Sequence, residues 1–374
     1  MPLTLAIDAR TATGAFTGIG RYTTSLVRAL VQQAPDLSLF LIVTEAARAS
    51  FAELEGPRVE LYATALDTTR HPAADLWLHF YLPRLLARRR IPVLLSCANY
   101  LPLFSGGARR IVTIHDLVPY RHPELDPWRF VVYLRAMLRQ AAACADRVVS
   151  VSEATARELV GILGVPRDRI AVIHNGVSPS FRPLPPSEVR LPAGVPDAPY
   201  LLGVGARIPR KNFARLVEAH GELVRRGLPH HLVIAGPPGQ SQPDIDAAIA
   251  RAGTRERVHV IGYPSDDDLL HLYNRAALFV YPSVYEGFGI PVLEAMACGT
   301  AVACSNTSSL PEVAGDDAEL FDPLSPPAIA AACERVLTDA ARAARFRAAG
   351  PAHAAHFSWE EAARRTAALV RELA

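Results

Sequence analysis

Two glutamates separated by a short glycine-containing turn form the part of this sequence best suited to chemistry. Gly287 and Gly289 lie between Glu286 and Glu294, directly after a run of apolar residues. The glycines permit a tight turn in which backbone N–H groups can face a ligand. Pro291 fits the first position of a helix, so we expect a helix N-terminus here with Glu294 in its first turn. The partial positive charge of such a terminus predicts a binding site for an anion, for example a diphosphate.

The single lysine of the chain lies in a second candidate segment. Lys211 is the only lysine among 39 lysine and arginine residues, and it follows Arg207 in the loop after the apolar run 200–204. Arginine is a flat fork of donors, whereas lysine is a compact charge suited to a phosphate at close range. Two fixed cations beside a helix N-terminus can hold the charge of a departing diphosphate. Taken alone, the lysine does not separate this interpretation from a second one. In the second, the composition favours arginine and one lysine remains by chance.

Two further candidates lie in the first half of the chain. His115, followed by Asp116, comes after the predicted strand 110–114 and is the best polar candidate in that half. Gly18 and Gly20 follow the first strand and open a helix, as a phosphate-facing loop would. They lack the third glycine of a dinucleotide fingerprint, so they give little support to NAD binding.

These residues also have interpretations that need no ligand. A lone histidine at a strand end is more often structural, Glu286 can be a solvated loop acid, and Glu294 can complement the helix dipole. The acidic run 266–268 follows Ser265 and is typical of a helix cap, which accounts for the one cluster suggestive of a metal site. We therefore expect chemistry without a metal or other cofactor.

The candidates must be positioned by a repeated alternation of strands and helices. Short β-rich runs alternate with helical patterns, which is the signature of an α/β fold with parallel sheets covered by helices. The predicted strands are 3–9, 37–44, 59–64, 93–97, 110–114, 147–151, 170–174, 200–204, 231–235, 258–261, 278–281 and 301–304. Because ligands bind beyond the carboxyl ends of such strands, the candidates lie where a site is expected.

A length of 374 residues suits two domains. We expect two doubly wound, Rossmann-like domains that face each other across a central cleft, at residues 1–180 and 199–357. Residues 181–198 are rich in proline, which donates no hydrogen bond to a sheet and stiffens the chain, so they are predicted to be a linker. The final helix, 358–374, can pack back on the first domain.

Composition excludes several classes of protein. Half of the residues are hydrophobic and a fifth are charged, as in soluble globular proteins. Five scattered cysteines without a CxxC pair argue against a disulfide framework or structural zinc, and favour a reducing compartment. The start lacks a basic region and a cleavage site, and no apolar run approaches the roughly 20 residues that span a bilayer. We therefore expect a cytoplasmic protein.

Charge is distributed unevenly along the chain. Residues 1–180 contain 20 arginines and 15 acidic residues, a net charge of +5, whereas the whole chain carries +2. This excess is too small to predict nucleic-acid binding but suits an anionic partner, either a membrane surface or a phosphorylated acceptor. Segments 84–90 and 128–139 combine apolar residues with arginines, and the favoured interpretation is an amphipathic helix with a solvated basic face. The alternative is a peripheral contact with the inner membrane.

The motifs together resemble those of the retaining glycosyltransferases of family 4, which have the two-domain GT-B fold. The resemblance runs nearly the full length of the chain, and the Glu286-to-Glu294 segment after the arginine and lysine loop is its most specific part. Two of its runs, 19–22 and 115–119, are similar to those of mannosyltransferase-like members that build bacterial surface polysaccharides. The other matching positions are Val151-Ser152, Glu158-Leu159, Asn175-Gly-Val177, Arg207 and Lys211-Asn212.

The resemblance implies a role for each candidate in the second half. Arg207 and Lys211 would hold the diphosphate of a nucleotide-sugar donor, and Glu294 would hydrogen-bond its ribose. Glu286 and the following turn would position the donor sugar. The residues of that turn are Gly287, Phe288 and Gly289, and Gly262 and Tyr263 would lie beside the base.

The first half would supply the acceptor side and close the donor site. The loop at Gly18 and Gly20 would cover the diphosphate, and His115 would contact the sugar near the reaction centre. Attack on the same face of the sugar would retain its configuration, with the leaving phosphate taking the acceptor's proton. The resemblance thus implies a metal-independent hexosyltransferase, with GDP-mannose as the leading donor and a lipid-linked glycan as the acceptor.

Two other functions stay open at this point. One is a nucleotide-sugar epimerase or a phosphorylase of the same architecture, although a pyridoxal phosphorylase would need a lysine and Lys211 already has a predicted role. The other is a catalytically silent subunit that binds a nucleotide sugar within a polysaccharide assembly. Donor hydrolysis or transfer by the purified chain would separate these from a glycosyltransferase.

Overall fold

The computed structural model describes residues 3–12, 18–66 and 73–374. These residues divide into two compact units. The first unit combines Met1–Gly176 with the C-terminal segment Ser358–Ala374, and the second is Val177–Phe357. Each unit is built around its own parallel sheet, so the predicted α/β architecture is confirmed.

In the described part of the first unit, seven parallel strands form one sheet in the order β3-β2-β1-β4-β5-β6-β7. The strands are β1 (Leu3–Asp8), β2 (Leu37–Thr44), β3 (Val59–Thr64), β4 (Val93–Ser96), β5 (Arg109–Ile114), β6 (Arg147–Ser150) and β7 (Ile170–Val172). Between them lie α1 (Gly18–Gln33), α2 (Ala73–Leu76), a π-helical turn (Trp77–Tyr81), α3 (Leu82–Arg89), α4 (Val118–Arg121), α5 (Trp128–Cys144) and α6 (Glu153–Leu163). The central strands are near-continuous apolar runs because helices bury both faces of the sheet.

The second unit contains a six-stranded parallel sheet in the order β10-β9-β8-β11-β12-β13. Its strands are β8 (Tyr200–Val204), β9 (His231–Ala235), β10 (Val258–Ile261), β11 (Leu278–Tyr281), β12 (Val302–Ser305) and β13 (Glu319–Phe321). Its helices are α7 (Phe213–Arg225), α8 (Gln242–Ala252), α9 (Asp266–Arg275), α10 (Ile290–Ala297), α11 (Leu310–Ala314), α12 (Pro326–Thr338) and α13 (Ala340–Ala354). The three-residue strand β13 is absent from the sequence prediction.

Each sheet has a topological switch point. In the first sheet β1 lies between β2 and β4, and in the second β8 lies between β9 and β11. Chains that leave the carboxyl ends of such neighbouring strands turn in opposite directions, which opens a crevice where ligands bind. The loops after β8 and β11 are those that carry Arg207, Lys211 and Glu286.

The proline-rich segment 181–198 belongs to the second unit by its contacts. Phe181 is buried, with its ring 5.8 Å from that of Tyr273. The Asn274 side chain accepts a hydrogen bond from the backbone of Leu184 and donates one to the carbonyl of Arg182. These bonds satisfy backbone groups of a segment whose regular structure is limited to the short helical turn Pro186–Glu188.

The last helix, α14 (Trp359–Leu373), packs on α1 in the first unit. Its N-cap is Ser358, which accepts a hydrogen bond from the backbone of Glu361. Near its end, Arg371 forms an ion pair of 2.7 Å with Asp36. Across the ranges that the structure describes, no helix has the length and apolarity needed to cross a bilayer.

Candidate active site

The loop after β8 is bonded to the loop after β11. Asn212 adopts a positive φ of 60°, a conformation that asparagine tolerates better than most residues. Its side-chain amide donates to the carbonyls of Pro282 and Pro323, at 3.0 and 2.7 Å. These bonds fix the short helical turn Pro209–Lys211 beside the first residues that follow β11.

The carboxylate of Glu286 is the centre of an ionic cluster. One oxygen lies 2.7 Å from the Arg210 guanidinium and the other 2.6 Å from Lys211 Nζ. The second oxygen also accepts hydrogen bonds from the hydroxyls of Ser283 and Tyr281, at 2.5 and 3.0 Å. All four partners come from the loops after β8 and β11 or from the last residue of β11.

Charge in this cluster decides the protonation of its members. Burial acts to raise the pKa of Glu286, but the charges of Arg210 and Lys211 outweigh it and hold that pKa well below its usual value. Burial, with the nearby Glu286 charge, raises the pKa of Tyr281. Glu286 is therefore a firmly ionised carboxylate, which makes it an anchor for two cations and a poor proton acceptor.

Arg207 differs from its neighbours because its buried Nε has no hydrogen-bond partner among the described residues. The residue is 7% exposed, and its Nε makes no hydrogen bond to any residue that the structure describes. Its backbone is held by the loop after β9, through bonds with Pro237 and Ser241. A Cβ on Gly239 would lie 2.5 Å from the Arg207 carbonyl oxygen, so glycine permits this approach. A buried N–H group of a cation that lacks an acceptor is costly, and an anion at this position would remove the cost.

The glutamate turn is packed and hydrogen-bonded throughout. Gly287, Phe288 and Gly289 are buried. The Ser309 hydroxyl lies 2.9 Å from the carbonyl oxygen of Glu286 and 2.7 Å from that of Phe288. Gly289 has a φ of 115°, and a Cβ there would lie 2.6 Å from a Leu310 methyl group. Glycine is thus required at this position on both conformational and steric grounds.

Glu294 lies deeper in the helix than the sequence predicts. Helix α10 begins at Ile290, so Pro291 is its second residue and Glu294 its fifth, which belongs to the second turn. The difference arises because Gly289 takes the N-cap position with a positive φ. Glu294 is 3% exposed and accepts a hydrogen bond of 2.9 Å from the Tyr273 hydroxyl.

Gly262 and Tyr263 lie at the same edge of the second sheet, after β10. The carbonyl of Gly262 accepts a hydrogen bond of 3.1 Å from the backbone of Gly236, which follows β9. Gly262 is exposed, and a Cβ there would have no neighbour within 4 Å. Its position therefore needs no glycine for packing.

His115 is a buried residue of the first unit. Its Nε2 lies 2.8 Å from the carbonyl oxygen of Cys97, and since a carbonyl only accepts, this nitrogen carries the proton. Burial lowers the pKa of His115, which favours the neutral ring. Its Nδ1 is then an acceptor, so His115 can receive a hydrogen bond but cannot act as an acid at neutral pH.

The two glycines of the first half lie at the start of α1. Helix α1 begins at Gly18, so both glycines open a helix as the sequence predicts. Gly18 is exposed and Gly20 is buried in the first turn of this helix. Glycine is unfavourable inside a helix but costs less in its first turn, where backbone donors have no helical acceptor.

The structure brings most of the second-half candidates to one edge of their sheet, and it adds residues that sequence reasoning missed. Arg210, Tyr281 and Ser283 all contact Glu286. Arg210 precedes Lys211 in the sequence, and this second cation in the same loop is the signal that marks it. Tyr281 is the last residue of an apolar strand, and nothing in the pattern separates its hydroxyl from a core position. Within the described ranges, no group of three or more histidines, cysteines or acids is arranged to hold a metal ion.

Family models match both units of the chain. The model described as Glycosyltransferase Family 4 matches residues 16–181, and the model described as Glycosyl transferases group 1 matches residues 192–353. The O-antigen chain mannosyltransferase B of Escherichia coli is 36% identical over 264 residues, which cover 69% of each protein. The serotype-specific mannosyltransferase WbdA of Escherichia coli is 32% identical over 274 residues, 70% of this chain but only 33% of that protein.

Solved structures share the fold over the whole chain. A glycosyltransferase from Rickettsia africae has a TM-score of 0.74 at 17% identity, with 99% of this chain and 98% of that one covered. HepE from Anabaena, solved with UDP and glucose, also has a TM-score of 0.74, at 18% identity with both chains fully covered. The two parallel sheets are those of the GT-B glycosyltransferases. By fold, by family models over both units and by its curated relatives, this chain is an enzyme that belongs to glycosyltransferase family 4.

Proposed function

We propose that this enzyme transfers mannose from GDP-mannose to a lipid-linked glycan during the synthesis of a bacterial surface polysaccharide. The observation that carries the proposal is the buried guanidinium of Arg207, whose Nε has no hydrogen-bond partner among the described residues. It lies in the same loop as Lys211, at the switch point of the second sheet. The sugar and the product class are suggested by the mannosyltransferases of Escherichia coli that resemble this chain.

The charges of the site suit a diphosphate. Arg207, Arg210 and Lys211 supply three positive charges, and Glu286 removes one of them. The remaining double positive charge would neutralise the doubly charged diphosphate of a nucleotide sugar. As the bond to the sugar breaks, further negative charge develops on the leaving phosphate, where fixed cations in a buried site are most effective. HepE, which shares the fold, was solved with UDP and glucose.

The proposed reaction retains the configuration of the sugar and requires no metal. The acceptor oxygen forms a bond to the anomeric carbon on the face from which the phosphate oxygen departs. The acceptor's proton passes to that phosphate oxygen, since Glu286 is too firmly held by its cations to serve as a base. His115 accepts a hydrogen bond from the sugar through Nδ1, and Glu294 bonds the ribose from its position against Tyr273.

A thermal-shift comparison of GDP, UDP, ADP and their sugars tests the donor. A ligand that binds only the native state stabilises it by about 2.7 kcal/mol at a concentration 100 times its Kd. We expect GDP and GDP-mannose to raise the Tm in a concentration-dependent way, with and without EDTA, and mannose transfer to persist in EDTA. A larger shift with UDP or ADP would contradict the choice of base. Loss of transfer in EDTA, restored by Mn²⁺, would refute the metal-independent reaction.

The first unit carries an exposed apolar surface that supports a membrane-bound acceptor. The rings of Phe80 and Phe104 lie 5.7 Å apart, and the Tyr133 hydroxyl lies 3.1 Å from Asp75, so α5, the π-helical turn and the loop 101–107 form one surface. Its exposed members are Leu76, Phe80, Tyr81, Leu103, Phe104, Trp128, Phe130, Val132 and Tyr133. We call this the aromatic surface. An exposed apolar area of this kind, with arginines in segments 84–90 and 128–139, suits the interface of an anionic bilayer.

Sedimentation with vesicles tests this part of the proposal. The double variant Trp128→Ser/Phe130→Ser is expected to bind vesicles of phosphatidylglycerol and phosphatidylcholine at least about tenfold more weakly than the wild type, because each removed ring contributes apolar area. Leu324→Ser is the matched control, since Leu324 is 62% exposed and lies in the second unit. A wild-type chain that fails to sediment with these vesicles at low salt would eliminate the membrane contact.

A further inference from the structure

Two aromatic residues on either side of Ser358 are linked to site candidates, Phe357 by direct contact with Phe288 and Trp359 through Tyr22. Phe357 is the last residue of the second unit, and Trp359 is the first residue of α14 in the first unit. We call Phe357–Trp359 the crossover segment, because the chain passes through it from one unit to the other.

In the second unit, Phe357 packs against the glutamate turn. Its ring lies 5.9 Å from that of Phe288 in an edge-on arrangement, and the ring of His353 lies 5.6 Å from it. Phe288 is 4% exposed, and it stands two residues after Glu286. A change in the position of the Phe357 ring would therefore displace the turn that holds the Glu286 carboxylate, since closely packed side chains transmit displacement.

In the first unit, Trp359 reaches His115 through one intermediate ring. Trp359 lies 5.8 Å from Tyr22, and Tyr22 lies 4.7 Å from the His115 imidazole, both edge-on. The Tyr22 hydroxyl is also 3.0 Å from the hydroxyl of Thr113, two residues before His115 on β5. Tyr22 is 2% exposed, so it fills its space and transmits the position of Trp359.

The crossover segment is held by the other connection between the units, which passes through Gly176 and Val177. A Cβ on Gly176 would lie 2.2 Å from the Trp359 backbone nitrogen, so the two backbones touch and only glycine fits. The backbone N–H of Val177 donates a hydrogen bond of 3.0 Å to the carbonyl of Phe357. Both rings are thus attached to a fixed backbone.

We propose that Phe357 and Trp359 are positioning residues of the active site. Phe357 holds the Glu286 turn through Phe288, and Trp359 holds His115 through Tyr22. The inference rests on the proposed roles of Glu286 and His115 toward the donor sugar.

Substitution of Trp359 tests the proposal in the first unit. In Trp359→Leu we expect the His115 imidazole resonance, assigned through His115→Gln, to shift in the NMR spectrum. We also expect kcat for mannose transfer to fall about 10–100-fold with little change in KM, because small misplacements of reacting groups are costly. Trp359→Phe, which keeps a ring, should restore both. The control is Leu369→Ala on the same helix, since both residues are 7% exposed.

Substitution of Phe357 tests the second unit. Phe357→Leu is expected to lower kcat by a similar factor, whereas Phe346→Leu, in the hydrophobic core cluster of the second unit, should leave it unchanged. The proposal is overturned if Trp359→Leu leaves the His115 resonance as in Leu369→Ala, or if Phe357→Leu behaves like Phe346→Leu. Should the chain transfer no sugar, the proposed function fails, and the His115 resonance still decides this inference.

Discussion

Replacement of Lys211 by alanine is expected to lower the turnover number by about 10²–10³-fold, the loss typical of one donor removed from a developing anion. Lys211 Nζ lies 2.6 Å from Glu286 and 4.9 Å from the centre of the Tyr281 ring. The fold should survive the change, because Glu286 keeps its ion pair with Arg210 and its bonds to two hydroxyls. Steady-state kinetics with GDP-mannose, alongside the Tm of the variant, provide the measurement.

Two variants sharpen this experiment. Arg215→Ala removes an exposed cation that bonds the Asn212 side chain, and it should leave turnover near that of the wild type. Lys211→Arg keeps the charge but places a larger, planar guanidinium where the lysine side chain is only 12% exposed. Partial activity is therefore expected. Near-normal turnover in Lys211→Ala would exclude a role for the lysine at the leaving phosphate.

Replacement of Arg207 by methionine is expected to weaken binding of the nucleoside diphosphate by about 10–100-fold while it stabilises the ligand-free protein. Hydrogen bonds to charged groups contribute about 1.5–3 kcal/mol each, which sets the loss of affinity. The gain in stability arises because a buried guanidinium, whose Nε has no hydrogen-bond partner among the described residues, gives way to an apolar side chain of similar length. A Tm raised by a few degrees, together with a weaker Kd for GDP by calorimetry, is the predicted pair of results.

The neighbouring arginine provides a contrast of opposite sign. Arg210→Met removes a cation that is 2.7 Å from the Glu286 carboxylate, so it should lower the Tm. Loss of one partner from a buried ion pair typically costs about 3–5 kcal/mol. If Arg207→Met destabilised the ligand-free protein as Arg210→Met does, Arg207 would have a structural role and the argument for an anion site would fail.

Much of the fold was predictable because strands that are buried on both faces have continuous apolar sequences. β2, β3 and β8 occupy the ranges that their sequence patterns indicate. β13 was missed because its two apolar residues lie between Glu319 and Asp322, so no apolar run marks it, and its place is fixed by pairing with β12. The start of α10 was misplaced because Gly289 caps the helix through a positive φ, which composition alone does not reveal.

The site was predictable in its location and less so in its contacts. Arg207, Lys211 and Glu286 were found because the carboxyl ends of adjacent parallel strands meet at one edge. The ion pair between Lys211 and Glu286 joins residues 75 positions apart, and no periodicity in the chain encodes it. The same holds for Tyr281, because the hydrogen bonds of its hydroxyl to Lys211 and Glu286 depend on the tertiary fold.

The lysine of the ionic cluster also makes this enzyme unusually open to selective chemical labelling. Lys211 carries the only side-chain amine in the sequence, and 12% of that side chain is exposed. A reagent specific for side-chain amines therefore modifies the proposed diphosphate site and no other side chain. The rate of that modification reports how far Glu286 has released its lysine, so one reactive group serves as a built-in probe of the site's occupancy.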